Sequence, residues 1–232
     1  MAVILCTQLL CYSMSFEDAF YSMMGRETNV NDEAWSIVLA AVQSGEVSVD
    51  YTWGMFNTSL LHYACRKGSV STVRRLLNLG ASPSLKNDID VVAMHYAIVS
   101  WWTCPAQCGG ELENALEKCK MLPVADLSSC AETFGTPLRL LLAHLARRGR
   151  AGNFEFMQLL QWVVNQPECA LDNVQGVLDV LTKHPGTAPY ALIVQTAMEQ
   201  RARWSLLRAA WTGAVAGAAS ARSGQAWQES RR

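Results

Sequence analysis

Two six-residue segments, one a full repeat length after the other, constrain this chain more than anything else in it. Ser59-Leu60-Leu61-His62-Tyr63-Ala64 and Val92-Ala93-Met94-His95-Tyr96-Ala97 carry a histidine, a tyrosine and an alanine in the same order, with His62 and His95 33 residues apart. A motif that returns at a fixed period of roughly 20–50 residues marks a stacked repeat. Each unit is one supersecondary element that cannot bury its apolar face alone, so neighbours must supply the core for one another.

The residues around the two segments agree with that reading. Ala64-Cys65-Arg66-Lys67-Gly68 ends a first helix at a glycine. Val70, Val73, Leu76 and Leu77 then fall on one helical stripe, with Arg74 and Arg75 on the other side. Gly80-Ala81-Ser82-Pro83 is an exit turn, because glycine accepts a left-handed conformation and proline cannot continue a helix. On these motifs residues 57–97 resemble the ankyrin repeat family, whose units open on Thr-Pro-Leu-His-x-Ala and leave the second helix through Gly-Ala-Asp-Pro. Downstream, Gly135-Thr136-Pro137-Leu138 restores the start, with Arg139 in the histidine's place and an offset of 44 residues from His95. The extra 11 residues are assigned to an insertion near 101–110, where Pro and Gly separate two helical patterns.

The resemblance implies an all-α, ankyrin-type helical repeat solenoid of about four units with divergent N- and C-terminal caps. Residues 15–171 hold the repeats. Upstream of the motif, helices are expected over Phe16–Met24 and Asp32–Ser44, followed by a turn at Gly45-Glu46-Val47. The third unit's second helix is expected over Phe154–Val164, with Phe156, Leu159, Leu160 and Val163 inward. Asn173–Leu181 and Ala191–Trp211 also read as helices and form a divergent cap across 172–219; from Ser220 the Ser, Gly, Gln and Arg composition predicts a frayed tail over 220–232.

Composition bounds the partners. The formal net charge of −1 gives no whole-protein field to attract nucleic acid or an anionic membrane, and neither is expected as a partner. Half the residues are apolar and 17% are charged, as in folded proteins. The eight cysteines sit in ordinary apolar helix patterns rather than in a small core-poor domain, so reduced thiols and a cytoplasmic location are expected. The first 14 residues are apolar but carry no basic residue before them, unlike a secretory signal, and Met14 offers an alternative start.

No Gly-x-x-x-x-Gly-Lys, Gly-x-Ser-x-Gly or His-Glu-x-x-His occurs. No catalytic residue, cofactor, metal or small-molecule substrate is therefore expected. Cys104, Cys108, Cys119 and Cys130 have a spacing near that of a zinc staple, but Cys119 falls within a helical run, so two reduced loop cysteines are the preferred reading. By resemblance, Ser59, Leu61, His62, Ala64, Gly68 and Gly80 are structural repeat positions, as are Met94, His95, Ala97, Thr136, Pro137 and Leu138. The two histidines would hydrogen-bond a finger-like loop to the helices.

The partner surface is expected elsewhere. Tyr51, Trp53, Met55 and Phe56 crowd one finger with large side chains of the kind enriched in protein interfaces. Trp101 and Trp102 raise the same expectation at the start of the insertion. With Tyr63, Arg66 and Lys67 on the first inner helix, they compose a concave surface for another protein. The expected function is a protein–protein interaction module: a scaffold, an adaptor or a subunit of a larger assembly. A non-catalytic regulatory subunit of an enzyme complex and a peripheral membrane-associated adaptor are the alternatives.

Overall fold

A computed structural model describes residues 16, 18–19, 32–103, 111–148, 154–171, 174–183 and 185–229. Within them the apolar stripes become helices. They are α1 (Asp32–Ser44), α2 (Leu60–Lys67), α3 (Val70–Asn78), α4 (Ala93–Thr103), α5 (Glu111–Met121), α6 (Pro137–Arg148), α7 (Phe154–Asn165), α8 (Gln175–Thr182) and α9 (Ala188–Glu229). Two short strands, β1 (Thr52–Trp53) and β2 (Thr58–Ser59), precede α2, and a 3₁₀ turn covers Val124–Ser128.

Local chemistry starts the best-formed unit. Ser59 is extended, and its side chain accepts from the His62 N–H while the His62 ring accepts from the Ser59 N–H. That reciprocal capping box satisfies two donors a helix end would otherwise leave orphaned. Ser69 caps α3 in the same way by accepting from Thr72. Between the two helices stands Gly68, where an added Cβ would lie 2.8 Å from the Ala64 carbonyl oxygen. Gly80, after α3, holds φ at +95°. Gly68→Ala is expected to cost about 2 kcal/mol through backbone displacement, and Gly80→Ala about 1 kcal/mol through its φ. Urea midpoints check both, and equal midpoints for wild type and Gly68→Ala would show that the α2–α3 turn yields freely.

Helix pairs α2/α3, α4/α5, α6/α7 and α8/α9 then stack side by side. The inner layer runs α2, α4, α6, α8 and the outer layer α1, α3, α5, α7, α9, each helix packing on the next in its layer. One continuous core lies between the layers. Val73 and Leu76 enter it from α3, and Phe156, Leu159, Leu160 and Val163 from α7, all fully buried, while Arg74 and Arg75 face solvent. Each fully buried Leu or Phe contributes about 2 kcal/mol by leaving water, so the core spans the units as the repeat pattern requires.

Fingers project between the pairs. β1 and β2 pair antiparallel, Thr52 opposite Ser59 and Trp53 opposite Thr58. The second finger turns through residues 87–91, where Asn87 N–H donates to Val91 O and the Asn87 side chain accepts from the Ile89 and Val91 N–H groups. The third closes on a bridge between Ala131 and Gly135.

Three boundaries differ from expectation. Trp101 and Trp102 belong to the last turn of α4, not to the insertion, because the helix continues through Thr103. Helix α8 begins at Gln175, with residues 172–173 outside the described set. Helix α9 runs to Glu229, through the stretch expected to fray, because Ala, Gln, Arg and Glu are good helix formers and outweigh two serines and a glycine. Most of the expected Phe16–Met24 helix, residues 1–14 and most of the insertion lie outside the described residues.

Candidate partner-binding groove

The repeat histidines knit fingers to helices. His62 Nδ1 accepts from the Ser59 N–H at 3.2 Å, so Nε2 carries the proton and donates to Val91 O at 3.0 Å. His95 repeats the geometry one unit on, accepting from the Val92 N–H at 3.4 Å and donating to Gly135 O at 3.0 Å. Both rings are buried, which lowers the pKa of each; His62 falls to about 4, against the Val91 hydrogen bond that raises it. Held in this way, each ring ties its helix to the finger of the next unit.

With the fingers so held, a groove of about 370 Å³ opens on the inner face. Phe56 from the first finger, Ile89 and Val91 from the second and Phe134 from the third supply its finger side, with His95 of α4 behind them. Tyr96 and Val99 from α4, Leu140 and His144 from α6, and Arg66 from α2 supply its helix side. Adjacent fingers are tied at their tips: Asn57 Nδ2 donates to Asp88 at 2.8 Å, and the Asp88 N–H donates to Phe56 O at 3.0 Å. The rim ion pair Lys86–Asp90 (3.3 Å) is half-exposed and adds little.

Residues 57–88 match the family model of the ankyrin repeat. The match covers the first finger turn, α2, α3 and the exit at Gly80, and the matched family is a non-catalytic repeat. The ankyrin histidine slot is filled by His62, and His95 takes it in the following unit. No curated protein sequence matches the chain. Ankyrin repeats are typically protein-binding modules.

Of the partner residues expected from sequence, only Phe56 and Arg66 line this groove. Tyr51 and Trp53 are half-buried at the finger base; their rings stack at 6.4 Å, and Phe16 meets Tyr51 edge-on at 5.5 Å. Met55 is 85% exposed at the tip. Tyr63 is half-buried, its pKa raised mainly by burial and opposed by a hydrogen bond with Thr58. Lys67 is half-buried on α2, while the side chains of Trp101 and Trp102 lie outside the described residues.

The missed residues carried a signal. Moving Phe56, Tyr63 and Arg66 on by the 33-residue period gives Ile89, Tyr96 and Val99, three walls of the groove. The residue after Arg139, which replaces the repeat histidine, is Leu140.

Burial makes three of the described cysteines inert. Cys65, Cys119 and Cys169 are buried free thiols and Cys130 an exposed one. Burial pushes Cys65 up to about 12, Cys169 to about 11 and Cys119 upward too, which suppresses the nucleophilic thiolate. Cys119 points into the core and Cys130 to solvent, while Cys104 and Cys108 lie outside the described residues.

Proposed function

We propose that the chain is a protein-interaction module that holds a segment of a partner protein in the groove between fingers and inner helices. The observation that carries this is the groove itself: apolar side chains from three fingers and two inner helices converge on one concavity with Arg66 at its edge. Anchors in such desolvated pockets dominate binding energy, often ~2 kcal/mol or more each. Exposed Met55 and Phe56 extend the surface outward, and half-buried Tyr51 and Trp53 brace the finger that presents them. The free thiols favour a reducing, cytoplasmic setting.

Val99→Arg tests the assignment, because it fills the groove with a charge from a half-buried position on α4. Proteins co-purifying with wild type are expected to be lost with Val99→Arg and retained with Arg74→Ala on the exposed side of α3. Unchanged co-purification with Val99→Arg, in protein that keeps its helical circular dichroism, would remove the groove from the function.

A further inference from the structure

Beyond Arg201 the last helix leaves the stack. Arg201 donates to the carbonyls of Val164, Gln166 and Cys169, closing the C-terminal end of α7. Every side chain from Ala202 to Ala214 is exposed. Among them Trp204 is 70%, Leu206 71%, Leu207 60% and Trp211 73% exposed. Large apolar side chains do not gather on one bare helix without something to cover them.

Spacing and charge say what that cover is. At 100° per residue, Trp204, Leu207 and Trp211, with Ala214, form an apolar strip of roughly 80° that Arg203 and Arg208 flank on either side, and Leu206 falls outside it. Ser205 and Thr212 fall on the other side. Between Glu199 and Glu229 the sequence holds Arg201, Arg203, Arg208 and Arg222 and no acidic residue, although the whole chain has a net charge of −1. A second copy packed along Trp204, Leu207 and Trp211 would set Arg203 and Arg208 at the seam's flanks against arginines. A bilayer interface takes the strip, keeps indole N–H groups at the wet headgroups and offers phosphates to the arginines that flank it. None of the described helices is long and apolar enough to cross a membrane, which leaves a helix lying along its surface.

We propose that residues 202–214 of α9 dock on an anionic lipid surface, with Trp204, Leu207 and Trp211 at the headgroup–acyl boundary and Arg203 and Arg208 on lipid phosphates. This surface is distinct from the groove and does not depend on what the groove holds. The net charge of the chain, from which no membrane partner is expected, averages away the local excess of arginine.

Co-sedimentation of the full chain with phosphatidylcholine vesicles, with and without about 30% phosphatidylserine, tests it. Pelleting is expected with the anionic vesicles alone, weakening as salt screens the arginines. W204S/L207S/W211S is expected to lose at least a hundredfold in partitioning. R203Q/R208Q is expected to lose about fivefold per arginine. All five positions are exposed, so circular dichroism should be unchanged. Pelleting with neither vesicle, equal pelleting with both, or pelleting retained by the triple variant overturns the proposal. So does a wild-type dimer in sedimentation equilibrium that the triple variant dissociates.

Discussion

His62→Ala is expected to lower the folding free energy by about 4 kcal/mol in urea unfolding, among the largest single effects available in this chain. The change strands two buried backbone groups, the Ser59 N–H and the Val91 carbonyl, each worth about 1–3 kcal/mol when left unpaired. It also removes a ring that meets Tyr96 edge-on at 5.3 Å. His62→Gln separates the contributions. A glutamine at the third helical position can still accept from the capping residue's N–H, but it is too short to reach Val91 in the next finger. About half the loss is therefore expected for glutamine. Equal losses for both variants would mean that the local cap contributes nothing, and a loss under about 1 kcal/mol for alanine would mean that the finger holds without the histidine.

That bond explains why the central unit could be read from sequence at all. A histidine that bonds forward to the next finger must recur once per unit, so His62 and His95 print the repeat period directly. Where the bond is absent the print fades. Arg139 occupies the same slot with Gly135 φ at +71° beneath it, and the fourth pair carries no motif, yet both stack as the others do. Stacking there is held by Phe156, Leu159 and Val194, residues whose spacing predicts helices but not their order in a solenoid.

The candidate site was displaced for a related reason. Aromatic density in Tyr51, Trp53 and Phe56 marks a finger, but not which of its side chains turn back. Tyr51 stacks on Trp53 and meets Phe16 edge-on, a long-range contact invisible to local pattern, and of these aromatics Phe56 alone faces the groove. Ile89, Val99 and Leu140 look like ordinary core residues in sequence; only placing successive units side by side puts them in one wall. Likewise the Ala- and Ser-containing end of α9 has the composition of a tail and the propensity of a helix, and propensity prevails.

Acidification should unfold the stack through the same histidines. The His62 pKa is about 4 in the folded protein against 6.5 when exposed, because burial disfavours the imidazolium and its Nδ1 is occupied as an acceptor. The unfolded chain therefore binds the extra proton first as pH falls. Stability from this group is complete above about pH 6.5, declines between 6.5 and 4, and levels off below, a loss of about 3 kcal/mol. His95, lowered for the same reason, adds to the decline. Asp126 works in the other direction. Burial raises its carboxyl pKa against the Ser84 hydrogen bond, so the folded state takes up that proton first and gains slightly at the acid end. His62 sets the fall across this window, and His95 is shifted in the same direction. Urea midpoints from pH 7 to pH 4 are expected to fall, and His62→Gln is expected to flatten the curve by about 3 kcal/mol over that range. If the glutamine variant falls as steeply as wild type, His62 is not the group that senses the acid, and the fingers are held by something other than a neutral imidazole.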